Sequence, residues 1–413
     1  MSERESVLAA EDTAVLVTGP DFGTPVTAPV HRRRAPDPSV RSAVEVAARA
    51  AWPAIALYAG LRAFGVLVLW LFAADRHRGL LDLLGHYDAI HYAGIVARGY
   101  DQAIPLKPDG SLAITNLAFF PLFPGLTALV DPILPGGPGS AGIAVSWLAG
   151  LGAAWGLFAI GNHLRDRWTG VLLAGLWAVL PHALVQSMGY TETLFTALAA
   201  WSLFALLRRR WLTAGLLCTL AGLTRPTGAA LVAVVGLAAL IAVVRRQDSW
   251  RPWLAGAIAP VGLLGYIVWV GHRLGRADGY FHVQKDAWKM SYDTGAYTVR
   301  TINAALTKPA PLVIYTNILL LVLAFALLAI LVLDRVPWPL TAFAVLIVAM
   351  AFFGDSYFNA KARLMVPAFP LLLPIAYALA AGRRRIAAVI LAALAVISAG
   401  YGVYLALVWT ASP

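Results

Sequence analysis

Eleven apolar runs, most of them close to twenty residues long and separated by short polar turns, leave this chain few ways to fold. They lie at 52–73, 141–161, 168–187, 190–207, 211–224, 227–244, 253–271, 312–333, 337–353, 364–381 and 386–408. About 20 apolar residues in a helix cross the hydrocarbon core of a bilayer, and a helix satisfies its own backbone groups there. In water the same chain could not hide its apolar surface. Of its 413 residues 60% are hydrophobic and 13% charged, against about 45–50% and about 25% in an average soluble domain. The fold class this predicts is an all-α polytopic membrane protein with about eleven transmembrane helices. Run 211–224 is short for a span and ends at Thr224-Arg225-Pro226-Thr227-Gly228. Pro226 starts a helix more readily than it continues one.

The net charge of +11 would suggest nucleic acid in a soluble protein. Here the basic residues sit in clusters between apolar runs, the pattern of cytoplasmic loops facing anionic lipid. No nucleic-acid partner is expected. Residues 1–48, with Arg32-Arg33-Arg34 and little apolar periodicity, read as a disordered cytoplasmic tail without the features of a secretory signal. Residues 49–413 read as one membrane domain. Arg165/Arg167, Arg208–Arg210, Arg245/Arg246/Arg251, Arg335 and Arg383–Arg385 are expected on the cytoplasmic side, and two spans separate each neighbouring pair of clusters. Segment 116–134 would reverse that parity if it crossed, so a re-entrant or surface-lying segment is expected, or a span offset by a missed one. The outer segments are then 74–140, 272–311 and 354–363. The single cysteine, Cys218, lies in an apolar run and reads as a packing residue.

Ionisable groups at membrane depth are costly, by at least about 2.5–3.5 kcal/mol each, and mark functional sites by default. Four polar groups fall on the outer side of this topology. In His86-Tyr87-Asp88-Ala89-Ile90-His91-Tyr92, helical spacing puts Asp88, His91 and Tyr92 on one face. That face is either a carboxylate held as a general base or the polar side of an ordinary amphipathic helix. In Gly189-Tyr190-Thr191-Glu192-Thr193, Glu192 either serves a site or stabilises a helix start. Arg225 opposes the positive-inside bias and needs an anionic partner, whether a phosphate or a carboxylate such as Glu192 or Asp88. Lys361 and Arg363, in the outer segment beginning Gly354-Asp355-Ser356, either receive a lipid phosphate or snorkel from a helix end.

The strings HYDAIHYAGIVARGY, NLAFFPLFPGL, GYTETLF and LTRPTG, followed by RLMVPAFP at 363–370, resemble in order the motifs of the PIG-V family of mannosyltransferases. The likeness covers about residues 80–370. Tyr87 stands where that family has Trp, His91 where it often has an aromatic, Phe123 where it has Tyr, and Thr191 where it has Ser. The resemblance implies a GT-C-like integral membrane glycosyltransferase that uses polyprenyl-phosphate mannose and needs no further cofactor. It also implies Asp88 as catalytic base, with Glu192 and Arg225 lining the site.

The residue chemistry fits that expectation. A lipid-phosphate leaving group needs cations, and Arg225, Lys361 and Arg363 are available. A single base with in-line displacement inverts the sugar. The sequence contains no Asp-x-Asp pair, so no obligatory metal is expected, although His86, Asp88 and His91 offer donor atoms. His91 and Tyr92 are further substrate-binding candidates. The acceptor is left open between a glycan, a glycolipid and a protein. The rival class is a transporter or lipid flippase, which would place its site at mid-membrane between inverted halves. A content rich in Ala, Arg, Gly and Leu suggests a bacterial plasma membrane, with the active site on its outer face.

Overall fold

The computed structural model describes residues 40–409, 411 and 412, with side chains from Glu45 onward. The chain divides into units 1–46 and 47–413, and the site lies in the second. Most of the expected tail 1–48 lies outside the described residues. Its last part, from Val40, is already helical.

The described residues are all-helical, without a named strand. The order begins with α1 (Val40–Asp75), α2 (Leu80–Leu84), α3 (Asp88–Arg98), α4 (Leu122–Val130), α5 (Gly137–Leu164) and α6 (Arg167–Ala178). Then come α7 (Glu192–Leu207), α8 (Trp211–Gly222), α9 (Gly228–Val244), α10 (Arg251–Ile258), α11 (Val261–Arg273) and α12 (Gly279–His282). The chain closes with α13 (Ala296–Thr307), α14 (Leu312–Leu333), α15 (Trp338–Phe353), α16 (Lys361–Leu364), α17 (Leu373–Ala381) and α18 (Arg384–Leu407). All eleven predicted runs are helical. Among the described residues five helices are long and apolar enough to cross a membrane, and six if the bent pair Phe358–Leu364 and Phe369–Ala381 is one span. Four shorter apolar helices, α7, α8, α9 and α15, complete the bundle.

The solvent of this bundle can be read from its inversion. The most apolar long helix, α14, has a mean hydropathy of 2.9 and is 28% buried, whereas α5, at 1.8, is 50% buried. A protein folded in water would bury the more apolar of the two. Leu319, Val322, Phe325 and Leu333 on α14 face outward, as they would toward lipid.

Lipid tails are as apolar as leucine, so helices in a membrane associate through close packing of small residues. Helix α5 carries that role. Its Gly161 lies against the backbone of Gly170 on α6, and Gly150 lies under the ring of Tyr58 on α1, each leaving no room for a Cβ. Buried Arg62 on α1 donates to Ser187 Oγ at 2.9 and 3.1 Å and to the Ala178 carbonyl at 3.2 Å. Asp166 caps α6 by accepting from the Thr169 amide at 2.7 Å.

Segment 116–134 does not cross. It contains a 3-10 turn (Asn116–Ala118) and the nine-residue α4. Such a helix rises only about 14 Å, half the hydrocarbon thickness. The Leu122 amide at its start donates to the Leu223 carbonyl at 2.9 Å, so this segment docks on the turn that carries Arg225.

The basic turns gather at one end. Arg209 at the α7–α8 turn pairs with Asp248 at the α9–α10 turn at 3.5 Å. Arg165 at the α5–α6 turn donates to the Tyr377 carbonyl on α17 at 3.1 Å. Arg384 lies over Trp168 at 5.4 Å. The opposite ends of these helices hold the four polar groups. There the end of α1 also meets the end of α18, with Arg76 Nη1 donating to the Leu407 carbonyl at 3.0 Å.

Candidate active site

Each site residue stands where a helix begins or breaks at that second end. Asp88 opens α3, where the helix dipole favours a carboxylate. Tyr87 before it has φ 55° and ψ −119°, a conformation that costs a non-glycine residue about 1–3 kcal/mol. Glu192 opens α7 and is fully buried. Arg225 lies in the break between α8 and α9. Arg363 lies on α16, the first limb of a pair of helices bent by 75°.

These four side chains form one alternating line of charge. Arg363 reaches Asp88 through Nη2 and Glu192 through Nε at 2.7 Å. Arg225 Nη1 lies 3.0 Å from the same Glu192 Oε1. The guanidinium of Arg363 sits over the Tyr190 ring, 4.5 Å from its centroid, and its Nη1 donates to Ser412 Oγ at 3.1 Å. Two positive and two negative charges therefore balance within one cluster. Buried charges survive only when paired in this way.

Above the cluster opens a cleft of about 1180 Å³, its mouth included, and Asp88, Tyr92, Arg225 and Arg363 line it. Glu192 lies beneath them and does not. It is the shared counterion that holds two guanidiniums at the cleft floor. Tyr92 points its hydroxyl toward Thr191 Oγ1 at 3.5 Å and packs edge-on against Phe119 and Phe123.

Two predicted residues stand elsewhere. The His91 ring stacks on Phe119 at 4.9 Å and meets Trp288 edge-on at 5.2 Å, so it backs the aromatic wall of the cleft. Burial lowers the His91 pKa from its ordinary value, against the opposing pull of Asp88 and Asp101, and the ring is neutral at pH 7. Lys361 is 1% exposed and turns away from the cleft. Its ammonium donates to the carbonyls of Ala351 at 2.6 Å and Gly354 at 2.7 Å. It closes the C-terminal end of α15, whose last carbonyls lack helical partners.

The cleft also draws on residues that the sequence reading passed over, among them Trp288, Met290, Tyr292 and Ser412, and on Thr191 and Tyr357 from the polar groups already noted. Nothing in the sequence marks Ser412. Among the described residues no three His, Cys, Asp or Glu side chains come together as a metal site, and His86, Asp88 and His91 do not converge.

No protein-family model matches the chain, and no curated protein matches it in sequence. Among solved structures it is similar to the crystal structure of ArnT from Cupriavidus metallidurans bound to undecaprenyl phosphate. The identity is 15%, the match covers 77% of this chain and 60% of that one, and the TM-score is 0.45. The chain thus matches over less than two thirds of that protein's length.

Proposed function

We propose that this protein is an integral membrane glycosyltransferase of GT-C type. It would move a sugar, mannose by the motif resemblance, from a polyprenyl-phosphate donor to a hydroxyl of a glycan, glycolipid or protein acceptor. The reading rests on one observation: two guanidiniums, Arg225 and Arg363, share a buried carboxylate and line a cleft beside Asp88 at the ends of membrane helices. Fixed cations at a cleft floor suit a leaving group that departs as a phosphate anion.

In this mechanism the acceptor oxygen attacks the anomeric carbon while Asp88 takes its proton. The bond from that carbon to the phosphate oxygen breaks, its electron pair stays on the phosphate, and Arg225 and Arg363 receive the charge. Attack from the face opposite the leaving group inverts the centre. Glu192 keeps both guanidiniums aimed, and Tyr92 forms part of the wall beside the base. The basic turns at the other end of the bundle would face the cytoplasm of a bacterial cell, and the cleft would then open on the outer face of the plasma membrane. A transporter would need its site at mid-membrane between inverted halves, whereas this cleft sits at helix ends.

The deciding experiment is transfer from labelled polyprenyl-phosphate mannose in membranes holding wild type or Asp88→Asn at equal expression. Transfer by wild type that is lost in the variant supports the mechanism. Equal transfer by both removes Asp88 from the base role. Absence of transfer with a panel of lipid-phosphate sugars, in both proteins, argues against the enzyme class.

A further inference from the structure

The cleft has a charged floor and an aromatic roof, and the roof is built as a single strap. Residues 288–293 pass alongside 353–355 through an isolated antiparallel bridge between Tyr292 and Gly354, after a helical Trp288 and a left-handed Lys289 (φ 56°). The Asp293 amide donates to the Phe353 carbonyl at 2.9 Å, and the Asp355 amide to the Ser291 carbonyl at 3.1 Å. Asp355 also accepts from the Ser291 amide at 2.7 Å. Trp288, Met290 and Tyr292 line the cleft, whereas Ser291 and Asp293 do not and are held by other bonds. Asp293 accepts from the Gly295 and Tyr297 amides at the start of α13, each at 2.7 Å.

The strap is held in place from below. Trp288 Nε1 donates to the Thr115 carbonyl at 2.9 Å, and Tyr357 donates its hydroxyl to the Trp288 carbonyl at 3.0 Å. Tyr357 does this from a left-handed backbone, φ 49° and ψ 56°, a strained conformation of the kind that collects at binding sites. The indole is thus fixed in position over a cleft whose far wall carries Asp88 and two arginines.

From this we infer that the inner face of the strap is a carbohydrate subsite, with a pyranose ring lying against Trp288 and its hydroxyls turned toward the polar floor. A pyranose carries C–H groups on a ring face and hydroxyls around its rim, so it fits a slot that is aromatic on one side and polar on the other. Gln284 supplies a rim group: its amide nitrogen donates to Tyr280 and its carbonyl oxygen is left to accept. The inference rests on the glycosyltransferase reading for its biological sense, but the sugar itself can come from the donor or the acceptor.

Binding tests it without requiring turnover. Saturation-transfer NMR on the protein in lipid nanodiscs would use methyl α-mannoside, methyl α-glucoside and methyl β-galactoside as probes. At least one should receive saturation on the C–H protons of a ring face. That signal should fall at least fivefold in Trp288→Ala, persist in Trp288→Phe, and weaken in Tyr292→Ala. No saturation of any probe by wild type, or an undiminished signal in Trp288→Ala, overturns the inference. Citronellyl phosphate and citronellyl phosphomannose then locate the source. Displacement of the probe by the phosphomannose alone makes the subsite the donor's, and retention against both makes it the acceptor's. Displacement by the sugarless phosphate means the wall holds the lipid, and the inference fails. Because transfer is not measured, a failed transfer assay and a failed sugar subsite are distinguishable.

Discussion

Arg363 Nε donates to Glu192 Oε1 at 2.7 Å across 171 residues of sequence. The carboxylate it meets has no exposure to solvent and is shared with Arg225. Removing one partner of a buried ion pair leaves the other charge uncompensated, at about 3–5 kcal/mol. Glu192→Ala is therefore expected to lower the thermal unfolding midpoint in detergent sharply and to abolish transfer. A variant with wild-type stability would mean that the two arginines find other partners.

Asp88→Glu keeps the charge and displaces it by one methylene. A misplacement of about 1 Å costs a proton transfer about a hundredfold. The expected result is a kcat roughly a hundredfold down with the donor KM unchanged. A near-normal kcat would show that the position of this carboxylate does not govern the rate.

Lys361 and Arg225 separate scaffold from site. Lys361→Met leaves the Ala351 and Gly354 carbonyls without their donor, about 1–3 kcal/mol for each buried group left unpaired. Stability should fall and the donor KM of the folded fraction should hold. Arg225→Lys keeps a cation but loses the planar fork. At about 1.5–3 kcal/mol for a charged hydrogen bond, the donor KM should rise about ten- to a hundredfold. A raised donor KM in Lys361→Met would overturn this division.

Gly170 lies against the Phe158 carbonyl and the Asn162 amide of α5, so an added methyl would meet backbone on the facing helix. Gly170→Ala should destabilise the α5–α6 hairpin by about 1–3 kcal/mol. Gly236, with open space around it, gives the control, and Gly236→Ala should unfold at the wild-type temperature or above.

Burial lowers the His91 pKa in the folded protein, so the unfolded chain binds this proton more readily. The stability that neutral His91 contributes is complete above its unfolded pKa, near 6.5. It is lost as pH falls from there toward the folded value. The unfolding midpoint of wild type should drop between pH 7 and pH 5, and His91→Phe should flatten that drop. Parallel curves for the two proteins would remove His91 as its source.

The helices were legible because hydropathy reports lipid-facing segments directly, and the arginine clusters marked the turns that gather at one end of the bundle. The crossing status of 116–134 was set by parity and then by the short reach of α4. Asp88, Glu192, Arg225 and Arg363 were legible as charges out of place, although their pairing was not, since Asp88 and Arg363 stand 275 residues apart. Lys361 looked equivalent to Arg363 at two residues' distance. What separates them is the direction of each side chain on a four-residue helix, which depends on where α15 ends. The aromatic strap was hidden because Trp288, Met290 and Tyr292 come to line one cleft through a left-handed turn at Lys289 and the bridge from Tyr292 to Gly354, which sequence does not show.

The order of the site charges along the chain has a consequence for synthesis. Glu192 is the most deeply buried of the four and so the most dangerous to insert alone. Its partner Arg225 follows directly after the α7–α8 hairpin, so the pair can neutralise as that hairpin enters the bilayer. Asp88, at the start of α3, can wait in water for Arg363, which emerges 275 residues later. The chain thus delivers a near partner to the charge that cannot wait and a distant partner to the one that can, and the floor of the cleft is complete only once α3 through α16 have been made.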